Sequence, residues 1–347
     1  MKAPALLLLM LLTSAVLHND RMFAQQAQTS PLSAQTVARD IPGVVKAGTK
    51  IELVKDGLNG ADDVIAFPDG TVVFGEPGAN RVLQLDTQNR ITTLVDQTNE
   101  SRGMTLDAAS RLIAAQAKDG QTRVAVIYPR DRQAIIADNF EGNPFSRPND
   151  VIVDKKGGVY LTDPGLNGVQ AEQLRNAQGG TPLAPRLPPA VYYIPAGGKA
   201  LRIAEGIERP NGIQLSREEK TLYVNNTNGA FLLAFDIRPG GSVGNRRNFG
   251  GYQGRSQFPN GLSGVQSGAD GLTIDNEGRV YGMTAAGVEI FSPQGQHLGI
   301  IPVKCSTRGD CQSLAFAGPD KRTLYIAGQG ALFRIQVLTR GFTGRAK

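Results

Sequence analysis

Arg147-Pro148-Asn149-Asp150-Val151-Ile152-Val153-Asp154, followed by a glycine turn and by Val159-Tyr160-Leu161-Thr162-Asp163, decides how this chain is read. A polar residue leads a short apolar strand, Gly157-Gly158 turns the chain, and a second strand returns. The same pattern opens at Arg209-Pro210-Asn211-Gly212-Ile213-Gln214-Leu215 and at Ala269-Asp270-Gly271-Leu272-Thr273-Ile274-Asp275. Three further copies start at Asp62-Asp63-Val64-Ile65, Arg102-Gly103-Met104-Thr105 and Gln312-Ser313-Leu314-Ala315. A third strand follows in most copies, as in Val191-Tyr192-Tyr193-Ile194 or Phe231-Leu232-Leu233-Ala234-Phe235, and Ile135-Ile136-Ala137 and Leu201-Arg202-Ile203 supply fourth strands.

A repeated small antiparallel sheet every roughly 40–60 residues is the signature of a β-propeller. The sequence therefore predicts an all-β, six-bladed β-propeller over residues 43–340. Ile51-Glu52-Leu53-Val54 precedes the first copy and would close the ring as the outer strand of the last blade. A two-sheet sandwich with accidental turn similarity is the competing reading, and six agreeing strand–turn–strand copies speak against it.

The composition fits. Among 347 residues there are 42 glycines and 20 prolines and no tryptophan, and long helical patterns are scarce, which favours short strands joined by turns. The net charge of +6 is scattered along the chain, with no concentrated basic stripe to mark a nucleic-acid partner. Lys2 and the apolar run from Ala3 to Leu17 predict a signal peptide over 1–24 and a flexible leader over 25–42. The expected location is then periplasmic or secreted, a retained N-terminal anchor being the alternative. Cys305 and Cys311 could close a small loop in an oxidising compartment or remain reduced, and the sequence leaves both open.

The position leading each inner strand carries the chemistry. It holds Asp62, Arg102, Asn149, Asn211, Asp270 and Gln312, all polar although the strands behind them are apolar. In a propeller these strands line the channel, so the six side chains converge on one axis. Two carboxylates and three amides, with no thiol or imidazole, make an oxygen-only set suited to Ca²⁺. Channel waters bonded to polar strand ends are the plainer explanation for any one position.

Arg147-Pro148-Asn149-Asp150, Arg209-Pro210-Asn211-Gly212, Asp270-Gly271 and Thr162-Asp163-Pro164 resemble the gluconolactonase/senescence-marker (regucalcin) family, across about residues 45–338. The resemblance implies a divalent cation, usually calcium, at the channel mouth and hydrolysis of sugar lactones or related cyclic esters. Carried over, Asp62, Asn149, Asn211 and Asp270 are the expected metal ligands. Arg102, Arg147 and Asn149 would bind substrate, and Asp270 would act as general acid/base. The family opens its first blade with a glutamate where this chain has Asp62, one methylene shorter, so Glu76 is a fallback ligand. The expected partner is a small-molecule lactone; an exported, non-catalytic propeller holding a sugar acid through the same metal is the alternative, and an interaction scaffold a third. Asp163 reads as a turn former and His297 as solvated in a polar turn. With so little histidine, Ser-His-Asp or Cys-His catalysis has little material. The long interruption from Leu166 to Pro189 reads as a lid, a binding loop or an ornament.

Overall fold

The computed structural model describes residues 37–180, 183, 186–254, 256–257, 265–305 and 311–347. The expected signal segment and most of the leader lie outside them. Six four-stranded antiparallel sheets follow one another along the chain, confirming the six-bladed propeller. Blade 1 comprises Asp62–Ala66, Val72–Glu76, Arg81–Leu85 and Ile91–Asp96. Blade 2 comprises Ser101–Leu106, Leu112–Lys118, Gln121–Tyr128 and Ala134–Ala137. Blade 3 comprises Val151–Val153, Val159–Asp163, Ala190–Ile194 and Leu201–Glu205. Blade 4 comprises Pro210–Leu215, Thr221–Asn226, Phe231–Ile237 and Val243–Gly251. Blade 5 comprises Leu272–Ile274, Val280–Thr284, Gly287–Phe291 and His297–Ile301.

Blade 6 closes the ring. Ser313–Ala317, Thr323–Gly328 and Ala331–Gln336 take Glu52–Lys55 as their outermost strand, with Glu52 opposite Arg334. Pairing the two ends of the repeat in one sheet removes the open edge a linear array would expose. The inner strands touch in cyclic order, blade 1 to 2, 3, 4, 5, 6 and back to 1.

The hairpins are set locally. Asp107, Asp154 and Asp275 end their inner strands and each accept two backbone N–H groups of the following turn, the local bonding that makes Asp a turn residue. Packing then joins the blades. The buried apolar side chains fall into six clusters among the described residues, one at each interface: Ile152, Tyr160, Ile213 and Val224 join blades 3 and 4, and Met283, Ile301, Leu314 and Phe333 join blades 5 and 6. At about 1.5–3 kcal/mol per buried large aliphatic side chain, these faces fix the blade angles and leave the channel to polar groups.

Two boundaries differ from the sequence expectation. The leader expected through residue 42 already packs at Ala38 and Ile41, buried beside blades 5 and 6. At the other end, residues 338–347 continue past the expected limit at 340 and cross the trailing ends of the inner strands. Phe342 donates its N–H to Ile274, Ala346 accepts from Ala66 N–H, and Arg345 grips the carbonyls of Leu215 and Ser216 and the Glu219 carboxylate. Lys347 ends buried on the axis. Cys305 and Cys311 are disulfide-bonded.

Candidate active site

Asp62, Arg102 and Asn211 lie within the first two residues of their inner strands, Gln312 immediately precedes its own, and Asn149 and Asp270 lie two residues before theirs. The next position divides into two kinds. Blades 1, 3 and 6 carry Asp63, Asp150 and Ser313, while blades 2, 4 and 5 carry Gly103, Gly212 and Gly271. A Cβ on Gly103 would strike Asp150, one on Gly212 the carbonyl of Asp270, and one on Gly271 the backbone of Ser313. The glycines therefore let neighbouring strands close, and the polar residues lock them. Asp63 accepts from Met104 N–H and from the Ser313 hydroxyl at 2.7 Å, and Asp150 from Ile213 N–H at 2.9 Å. Asp63 holds φ at 34°; left-handed geometry costs a non-glycine residue roughly 1–2 kcal/mol, offset by those bonds.

Asn211 is the most informative residue at the mouth. The Thr227 hydroxyl donates to Ala269 O at 2.8 Å, so it must accept from Asn211 Nδ2, 3.0 Å away. That orients the amide. Its Oδ1 is left buried with no hydrogen-bond partner among the described residues. Such an orphaned acceptor costs about 1–3 kcal/mol and is retained where something else bonds to it. The neighbouring backbone is equally fixed: Thr162 donates to Asn211 O, and Asn225 to Asp270 O. Asn149 is held through its backbone, donating to Thr162 O and accepting from Gly103 N–H.

The charges around the axis strain against one another. Burial, with Asp62 and Asp150 adding repulsion, pushes the Asp270 carboxyl well above the ordinary range. Burial also raises Asp62, against the pull of Arg102 and Arg147. Arg147 is pushed down to about 9 by burial and by the guanidinium groups of Arg102 and Arg209. Burial lowers Arg209, while Asp270 pulls it the other way. Arg147 Nη1 and Arg102 Nε are also buried without a hydrogen-bond partner among the described residues.

The donor set fits a divalent cation. No three His, Cys, Asp or Glu side chains form a cation cage among the described residues, but Asp62 and Asp270 with the bare Asn211 oxygen make a hard-oxygen set. A double positive charge there would relieve the repulsion between the two carboxylates. The fallback Glu76 is otherwise engaged. Its oxygens accept from Asn59 N–H at 2.7 Å and Arg81 Nε at 2.6 Å. Asp163, pushed up to about 6 by burial, accepts from Ser146, Arg147 and Gly165 N–H groups; besides making its turn, it therefore fixes the backbone of Arg147. His297 is not in a turn. It opens the outer strand of blade 5 with Nε2 2.9 Å from the buried Glu289 carboxylate. Gln312 takes Gln329 N–H on its side-chain oxygen.

The interruption in blade 3 forms a helix, Gly168–Ala177, started by a reciprocal capping box between Asn167 and Gln170. It stands beside blade 2, and its Leu174 would lie 3.4 Å from a Cβ at Gly120. Between helix and channel mouth opens a cleft of about 300 Å³ lined by Glu100, Arg102, Ser146, Arg147, Gln170 and Leu174. Of the residues now at the mouth, Arg209 was legible in principle, since Arg-Pro-Asn occurs twice. Glu100 carried no such signal, and neither did Asp150 and Lys347, which are paired just beneath the mouth.

Comparison with known proteins places this geometry. A gluconolactonase of Zymomonas mobilis is 24% identical over 322 residues, covering 87% of this chain and 85% of that protein. A lactonase of Staphylococcus saprophyticus is 30% identical over 156 residues, 44% of this chain and 41% of its own length. Among solved structures, a gluconolactonase of Xanthomonas campestris superposes with a TM-score of 0.71 at 24% identity, covering 89% of this chain and 96% of that one. A calcium-binding regucalcin of Agrobacterium tumefaciens does so at 0.60 and 17%, covering 83% and 93%; at such identities the superpositions establish the fold. The family model described as SMP-30/gluconolactonase/LRE-like region matches residues 64–329. With its repeated inner-strand motifs and closed ring of six blades, the chain belongs to the SMP-30/gluconolactonase/LRE-like family.

Proposed function

We propose that the protein is a divalent-cation-dependent hydrolase, calcium being the favoured ion, that opens a sugar lactone or related cyclic ester. One observation carries the cation: the buried Asn211 Oδ1, without a hydrogen-bond partner among the described residues, at the mouth where Asp62 and Asp270 repel each other. The gluconolactonase and lactonase relatives support the reaction class, and the calcium-binding structural neighbour supports the choice of ion. Asp62, Asn211 and Asp270 would hold the cation, with Asn149 at its edge. When bound, the ion supplies Lewis acidity towards a carbonyl oxygen.

The chain's own residues do the rest. Asp270 accepts the proton of a water attacking the ring carbonyl and returns it to the departing ring oxygen, so lactone and water become a hydroxy acid. Arg147 and Arg102 donate to substrate oxygens, and the bonds from Arg147 N–H and Ser146 N–H to Asp163 keep Arg147 facing the mouth. The helix Gly168–Ala177 narrows the water-facing side.

Export belongs to the same proposal, from the charged-then-apolar start at Lys2–Leu17. Proton release from a panel of aldonolactones and aromatic lactones, with chelator and then calcium added back, tests the activity. Turnover lost to chelator and restored by calcium is the expected result. Calcium-dependent thermal stabilisation without turnover on any lactone would instead indicate a binding propeller.

A further inference from the structure

We propose that the lactone bears a second, anionic group, a carboxylate or a phosphate, held by Arg102 and Arg147 at the wall of the cleft beside the helix Gly168–Ala177, with Arg209 adding its charge from the next blade. The proposal rests on the lactonase reading and names the substrate class of that same site.

Three guanidinium groups converge from three successive blades. Arg147 interacts electrostatically with both Arg102 and Arg209, and those two with each other. Arg102 Nε and Arg147 Nη1 are buried, and neither donates to any described residue. Guanidinium groups present planar pairs of donors matched to carboxylate and phosphate oxygens, so an arrangement with donors left over is one that an oxyanion completes.

The charge balance points the same way. Four carboxylates act on these arginines: Asp62, Asp163, Asp270 and Glu100. Asp62 and Asp270 are the pair a divalent cation would neutralise. Glu100 lies 3.9 Å from Arg102 but 3.3 Å from Lys118 Nζ, and so is shared with a further cation. Asp119 lines the outer cleft. Arg186 approaches the same turn, with Nη2 3.6 Å from where a Cβ at Gly120 would sit. With the cation in place, Arg102, Arg147, Arg209, Lys118 and Arg186 are set against Glu100, Asp119 and Asp163, and Asp163 already accepts three backbone N–H groups. A neutral sugar hydroxyl can accept one of these hydrogen bonds but removes none of the positive charge. The cleft of about 300 Å³ provides the room a substituent beyond the ring requires.

The test pairs binding with turnover on the full protein loaded with calcium. Calorimetry compares glucose, glucuronate and glucose 6-phosphate, none of which is a lactone. Kinetics compares gluconolactone with glucarolactone and 6-phosphogluconolactone. One of the two anionic classes should bind at least tenfold tighter than glucose, and its lactone should show at least a tenfold higher kcat/KM than gluconolactone. The preferred class tells carboxylate from phosphate. In Arg209→Gln and Arg102→Gln both ratios should fall towards one, with the kinetic change carried by KM. Equal binding of neutral and anionic sugars by the unaltered protein would overturn the proposal, whatever the variants do. Selective anion binding without turnover of any lactone would keep the anion site and overturn the lactonase reading instead, so the two failures are separable.

Discussion

Two layers of the channel, one residue apart along the inner strands, hold the same kinds of charge and treat them oppositely. Where the tail enters, Lys347 is fully enclosed. Its ammonium bonds Asp150, lies 3.5 Å from Asp63, and its carbonyl takes Gln214 Nε2 at 3.3 Å. Asp63 and Asp150 in turn accept backbone N–H groups from their own and neighbouring blades. At the mouth, one residue along each strand, Asn211, Arg102 and Arg147 keep buried polar atoms with nothing to bond. A closed network makes a stable plug, whereas the open one destabilises the empty protein and awaits ligands. Function is therefore expected where satisfaction fails.

The largest expected effect breaks the mouth alone. Asp270→Ala should lower calcium-dependent lactone turnover about a thousandfold, the usual scale for a lost general acid/base, read by proton release; near-normal turnover would remove Asp270 from the chemistry. Next comes the plug. Lys347→Met leaves two carboxylates buried with their shared cation gone and should cost about 3 kcal/mol in denaturant unfolding. Adding Asp150→Asn should recover part of that loss, since the two sites share one interaction.

Asn211→Ala sharpens the contrast. Calcium affinity by calorimetry should fall at least about tenfold, roughly the 1.4 kcal/mol of one such contact. Stability without calcium should change by less than about 1 kcal/mol, because the lost Thr227 bond is offset by removing an orphaned acceptor. A large loss of calcium-free stability would place Asn211 with the plug rather than the mouth. The smallest effect belongs to Glu76→Gln. Calcium affinity should stay as it is, since both carboxylate oxygens serve Asn59 and Arg81. The weakened, partly exposed ion pair should cost about 1 kcal/mol or less.

How much of this was legible follows from what is local. The propeller was readable because each blade announces itself within a few residues: alternating apolar positions, an Asp that brackets the turn, a returning strand. Asp62, Arg102, Asn149, Asn211 and Asp270 were readable because they break an apolar pattern at one address in each repeat. The division between Asp63, Asp150 and Ser313 and Gly103, Gly212 and Gly271 stood in the sequence too, but it becomes meaningful only once the strands are known to abut. His297 in a polar turn was misplaced, and the bonds of the fallback ligand Glu76 went unseen, because residue type does not reveal partners. Arg81 and Glu289 had already claimed them.

Taken alone, the sequence determined the strand–turn–strand unit, its six-fold repetition and the oxygen-bearing side chains at the head of five of the six inner strands, since all three depend on near neighbours along the chain. Tertiary structure decided which charges meet. Lys347 reaches Asp150 across 197 positions, Ser313 reaches Asp63 across 250, and Arg102 and Arg147 from successive blades line one cleft. Closing the ring sets these distances, and burial then makes each pairing, or its absence, energetically consequential.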